Sequence, residues 1–189
     1  MCNADAECLA LARPRFGRRF RPTRLWPVPE RSSFDRPMRL WIDADATPRD
    51  VKEIVFRAAH RLALETVLVA NHRVPLPPGH PSVSAVRVDG GPDVADRYIA
   101  EHARVGDVAV TADVPLAAAL VAARVTVIDP RGQEYTAENV GERLAVRDFL
   151  DGLRSAGVET GGPKAYGARE KQAFAAALDR VLTRALRTR

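Results

Sequence analysis

Two apolar rhythms alternate along this chain. Short runs, "RLWIDA" (39–44), "TVLVAN" (66–71), "VSAVRVD" (83–89), "DVAVTAD" (107–113) and "VTVID" (125–129), read as strands. The second is apolar nearly throughout, which suits burial on both faces. Between them the spacing turns helical. Val51, Ile54, Val55, Ala58 and Leu62 share one face of a helix over 48–63, with Thr47 as its expected cap, Pro48 at its first position and Asp50 in a capping-box-like place. A turn and helix occupy 90–104, and an alanine-rich helix with Pro115 near its start occupies 114–124. "VPLPPGHP" (74–81) is a loop, and two further helices are expected over 137–155 and 168–187, separated by the loop 157–167. Such alternation predicts an α/β fold: a mostly parallel central sheet of four or five strands with helices on both faces.

Residues 1–37 break the pattern. Prolines 14, 22, 27, 29 and 37, eight arginines and no periodicity predict a disordered extension. Met38 stands immediately before the first strand, so the natural start is expected there, with a basic arm that touches phosphates as the alternative. The charge supports this division. The eight arginines face only four acids, which accounts for most of the formal net charge of +5 and leaves the rest of the chain near neutral. Net charge therefore does not mark residues 38–189 as a nucleic-acid binder. Cys2 and Cys8, both in the extension, are too few for a structural zinc site. Without an apolar run long enough for a membrane span or a secretion signal, the default location is the cytoplasm, with no membrane partner.

The candidate chemistry lies in aspartates. Parallel sheets bind ligands at the carboxyl ends of their strands, where Asp43, Asp45, Asp89, Asp113 and Asp129 are expected. The i, i+2 spacing turns Asp43 and Asp45 to one side of their strand, and Asp93 and Asp96 open the helix after the third strand. Crowded carboxylates repel one another unless a cation neutralises them. An all-oxygen set suits Mg²⁺ or Mn²⁺, and such an ion can orient water and stabilise charge on a phosphate.

Simpler readings stand beside this one. Asp93 can serve the helix dipole, Asp113 can cap the helix before Pro115, and Asp89 and Asp129 can form turns beside Gly90 and Pro130. Asp96 can pair with a neighbouring arginine. His60, His72, His80 and His102 show no metal-binding spacing and read as surface or packing residues. "TGGP" (160–163) reads as a turn, with an anion nest as the alternative. Arg131, Arg143, Arg147 and Arg169 are either phosphate contacts or solvated helix faces.

"WIDADATP", "VANH", "GPDVADRYI", "VTADVPLA", "DPRGQEYTAENVGERLAVRDFLD", "TGGP" and "REKQAFAAALDRVL" resemble, in this order, motifs of the YaiI/YqxD family of uncharacterised bacterial proteins, over residues 38–183. The resemblance implies a three-layer PIN-like fold, related to metal-dependent nucleases. It makes 38–189 a single PIN-like domain including the C-terminal helices. It also implies that Asp43 and Asp113 are catalytic and that Asp43, Asp45, Asp93, Asp96 and Asp113 bind Mg²⁺ or Mn²⁺; of the arginines, Arg131, Arg147 and Arg169 are the candidate substrate contacts. The family usually has cysteine at Thr47 and asparagine at Asp129, so a thiol is not required and Asp129 is not counted as a ligand.

The leading expectation is a Mg²⁺- or Mn²⁺-dependent nuclease hydrolysing phosphodiester bonds, with RNA as substrate and partner and no protein partner implied. The alternatives are a non-catalytic metal- or RNA-binding module and a small-molecule phosphatase. A broad basic rim around the acidic cleft favours the nuclease, and a narrow closed pocket the phosphatase.

Overall fold

A computed structural model describes residues 36–76, 78–160 and 165–188. Six strands form one sheet: β1 (Arg39–Asp43), β2 (Glu65–Ala70), β3 (Val83–Arg87), β4 (Val108–Val110), β5 (Thr126–Ile128) and β6 (Glu134–Tyr135). Their spatial order is β3-β2-β1-β4-β5-β6. All pairings are parallel except β5 with β6. The α/β class and mostly parallel sheet agree with the sequence expectation. The two-residue β6 is the addition to the expected four or five strands, too short to leave a periodic signature.

Alternation along β1 builds two cores. Leu40, Ile42 and Ala44 face one apolar cluster, beneath α1 (Arg49–Leu62) and α5 (Ala168–Arg187). Trp41 faces the other, beneath α2 (Val94–His102) and α3 (Val114–Ala122). The result is three layers, consistent with a PIN-like fold. In α5, Phe174, Ala177, Leu178, Val181 and Leu182 are buried, the i, i+3, i+4 stripe of an amphipathic helix. The helix α4 (Val140–Ser155) lies over α3 with no residue fully buried.

Helix α1 starts differently from expectation. Pro48 is the boundary residue, and its carbonyl accepts from the amides of Val51 and Lys52. Thr47 falls one position too early to cap; its hydroxyl is buried without a partner among the described residues. Asp50 forms an ion pair with Lys171 of α5 at 2.7 Å instead of completing a capping box.

At the amino-terminal end of the sheet, Asp107 is wholly buried. Its carboxylate accepts from Trp41 Nε1 and the amides of Arg39 and Arg104, each at 3.0 Å, and from the Arg36 guanidinium at 2.6 Å. Arg36 thus ties the last residues before β1 to the sheet. Residues 1–35 lie outside the described residues, as do Gly161, Gly162 and Pro163 of the expected "TGGP" turn.

Candidate functional site: an acidic cavity at the switch point

β1 leads to β2 and β3 on one side and has β4 and β5 on the other, so chain direction across the sheet reverses between β1 and β4. Crevices at such switch points receive ligands in open α/β sheets. Here a cavity of about 320 Å³ is lined by Asp43, Asp45, Asp93, Asp96 and Asp113, with Asn71 and Gly91 at its wall. Five carboxylates from three separate stretches of chain therefore share one cavity.

Each is placed by local chemistry. Asp43 ends β1 and is 3% exposed; its oxygens accept from the Ala46 amide at 3.2 Å and the Thr111 hydroxyl at 2.8 Å. Asp45, on the same side two residues on, accepts from the Asn71 amide at 3.0 Å and lies 2.8 Å from His72 Nδ1. Asp113 caps α3, taking the Leu116 amide at 2.7 Å, so its simpler reading is realised while it still faces the cavity. Its own amide donates to Thr111 Oγ1 at 2.9 Å. Asp93 precedes α2 in the left-handed region, at φ 58°, and its side chain makes no cap bond. Asp96 sits in the first turn of α2, and nothing among the described residues pairs with it, so the arginine of its simpler reading is not found.

The crowding has an electrostatic signature. Burial, then the charges of Asp43, Asp113, Asp93 and Asp45, raise the Asp96 pKa to about 6. Burial also raises the Asp43 pKa, opposed by the hydrogen bonds from Thr111 and Ala46. A divalent cation would relieve this repulsion, and an all-oxygen donor set suits Mg²⁺ or Mn²⁺ in kind. Among the described residues, however, no three carboxylate, imidazole or thiol side chains are drawn together as tightly as a metal ion requires. The set fits the ion chemically and would have to contract around it.

Other candidates lie elsewhere. Asp89 is exposed beyond β3 and does not line the cavity. Asp129 is a turn former: one oxygen takes the amides of Arg131 and Gln133, both at 2.8 Å. Arg131, Arg147 and Arg169 do not line the cavity either. Arg131 lies 3.8 Å from Glu170, Arg147 pairs with Asp148 and Asp151, and Arg169 is exposed on α5. Arg147 lines a separate hollow beside Val114, next in sequence to Asp113, together with Arg143 and Arg154. Sequence reasoning passed over Thr111 and gave His72 no role beyond surface or packing, and it is indeed exposed. Their only signal was position, Thr111 two residues before Asp113 and His72 directly after the second strand.

Together these features define a class: a three-layer α/β protein with a carboxylate-lined cavity at the switch point of a mostly parallel sheet. The chain belongs to the YaiI/YqxD family of uncharacterised bacterial proteins, whose family model matches residues 41–184. It is 54% identical over 151 residues to a UPF0178 protein of Myxococcus xanthus, covering 80% of this chain and 98% of the relative. It is 56% identical over 151 residues to a UPF0178 protein of Trichlorobacter lovleyi, covering 79% and 97%. A UPF0178 protein of Halorhodospira halophila is 50% identical over 147 residues, covering 78% and 97%. No solved structure matches the chain.

Proposed function

We propose that this protein is a Mg²⁺- or Mn²⁺-dependent PIN-like nuclease that hydrolyses phosphodiester bonds in RNA. The observation that carries this reading is the convergence of Asp43, Asp45, Asp93, Asp96 and Asp113 on one cavity at the strand ends. A bound divalent ion supplies charge neutralisation and an activated water there. The chain supplies the frame. Thr111 holds Asp43 and the backbone of Asp113 at fixed separation, and the α3 cap holds the Asp113 side chain, which also lines the cavity. Asp96 adds a carboxylate that has no competing partner among the described residues. Cations outnumber acids in two neighbouring linings: Arg49 and Lys52 against Glu53 beside His72, and Arg143, Arg147 and Arg154 against Glu142 beside Val114. That setting favours an extended polyanion over a small phosphate ester.

The loose spacing of the carboxylates favours a second reading, a binding module without turnover. A metal-dependence screen on labelled RNA, DNA and generic phosphate esters separates the two. Cleavage of RNA in Mg²⁺ or Mn²⁺, lost in Asp43→Asn, is the expected result. RNA binding without cleavage in either metal would favour the module, and turnover of small esters alone the phosphatase.

A further inference from the structure

Beside the acidic cavity lies a second, more apolar one that the proposed chemistry does not use. Its volume is about 510 Å³, within the usual range for small-ligand sites. Phe56 of α1 and Val74, Pro75 and Leu76 after β2 give it apolar walls, while Arg49 and Lys52, with one acid, Glu53, stand at its rim. The two cavities meet at one close contact. Asp45 lines the acidic cavity, His72 lines the apolar one, and His72 Nδ1 lies 2.8 Å from Asp45 Oδ1. The other Asp45 oxygen takes the Asn71 amide at 3.0 Å, so the carboxylate holds the imidazole at the boundary between the two spaces.

The chemistry of the walls selects an occupant. Arg49 is 91% exposed and engaged only with Glu53 of the same helix at 3.3 Å, an exposed pair of little net worth that an anion can displace. Lys52 is anchored by donating to the Ala44 carbonyl at 2.9 Å, which keeps its charge beside the end of β1. An apolar wall with one aromatic ring, two cations at the rim and a carboxylate-lined cavity next door match one unit: a nucleobase against the wall, its phosphate toward the cations, and the neighbouring phosphodiester reaching the aspartates. Only an unpaired base can lie in such a recess.

We infer that this recess is a nucleotide subsite, taking one unpaired nucleotide adjacent to the phosphodiester presented to the acidic cavity. The inference rests on the nuclease reading for its orientation, but the recess and its ligand chemistry stand apart from catalysis. The nucleotide can belong to a strand or be free.

The test is binding, measured by fluorescence anisotropy with a labelled single-stranded oligouridylate in EDTA and again in Ca²⁺, and by competition with uridine monophosphate. The double variant Arg49→Glu/Leu76→Gln changes two exposed side chains of the recess and two units of charge. Arg57→Glu makes the same charge reversal on the same helix but lines a different hollow. The expected result is about tenfold weaker oligonucleotide binding in the double variant and little change in Arg57→Glu. Equal effects of the two would overturn the subsite, because only general electrostatics would then be at work. If the wild type cleaves RNA while the double variant binds as tightly as wild type, the subsite fails and the nuclease reading stands. If the wild type binds neither probe, both fail. Binding of the monophosphate that the double variant loses, with no gain from the longer strand, assigns the recess to free nucleotides.

Discussion

Thr111 and Asp43 are joined by a 2.8 Å hydrogen bond across the switch point, between the ends of β4 and β1. The same hydroxyl accepts the Asp113 amide at 2.9 Å, so one threonine sets the spacing of two of the cavity's carboxylates. Thr111→Val keeps the shape and removes both bonds. It leaves the buried Asp43 carboxylate short of a donor and should destabilise the protein by about 1–3 kcal/mol at neutral pH. Without that donor the Asp43 pKa rises further. The deficit should therefore shrink as pH falls and Asp43 takes up a proton. Urea unfolding at two pH values checks this; a deficit that does not change with pH would contradict it.

Asp96 carries the clearest pH signal. Its folded pKa of about 6 lies above the unfolded carboxyl value, so the group favours the folded state at low pH and that contribution is lost as pH rises through about 6. Asp96→Asn is neutral at every pH. It should stabilise the metal-free protein on the order of 1 kcal/mol at pH 7, allowing for solvent screening, and hardly at all near pH 4.

Metal should reverse that order. A ligand that binds only the folded state stabilises it by an amount set by concentration over dissociation constant. Mg²⁺ or Mn²⁺ should raise the wild-type melting temperature, and Asp43→Asn or Asp96→Asn should blunt the rise. Identical metal responses in Asp43→Asn and wild type would remove Asp43 from the ligand set.

Asp93 holds a left-handed backbone that a glycine would adopt without strain. Asp93→Gly should stabilise the metal-free protein by about 0.5–1 kcal/mol, partly by relieving repulsion in the cavity, while weakening the metal response. Loss of stability in Asp93→Gly would show that the carboxylate holds the turn before α2.

Gly132 makes the opposite case. At φ +84° in the turn between β5 and β6, a Cβ there would stand 2.6 Å from the Ala173 carbonyl oxygen of α5. Backbone cannot yield as a side-chain tip can. Gly132→Ala should lower stability by about 2 kcal/mol or more, read from the urea midpoint.

The strands and helices were legible because their apolar spacing is regular: the α5 stripe from Phe174 to Leu182 and the alternation of Leu40, Trp41 and Ile42 name their elements directly. β6 was not, because two residues carry no period. The aspartates of the cavity were legible as strand-end carboxylates, yet position alone could not separate Asp43 from Asp129. One faces a cavity and the other closes a turn, which depends on where the chain goes next. Thr47 misled for a similar reason: a helix start one residue later leaves its hydroxyl buried instead of capping. His72 had no periodic or spacing cue at all, since its partner Asp45 lies on another strand's end.

The placement of β1 sets which changes of length the protein can absorb. All five of its residues pair with β2, and three of them with β4. Because side chains alternate, inserting or deleting one residue there would turn Asp43 into the apolar core and Ile42 into the cavity. It would also draw Trp41 away from Asp107 at the opposite end. A single indel in 39–43 thus breaks site and scaffold together. Insertions after His72, between Arg73 and Leu76, can alter the recess beside the aspartates while Asp45 keeps its contacts with Asn71 and His72.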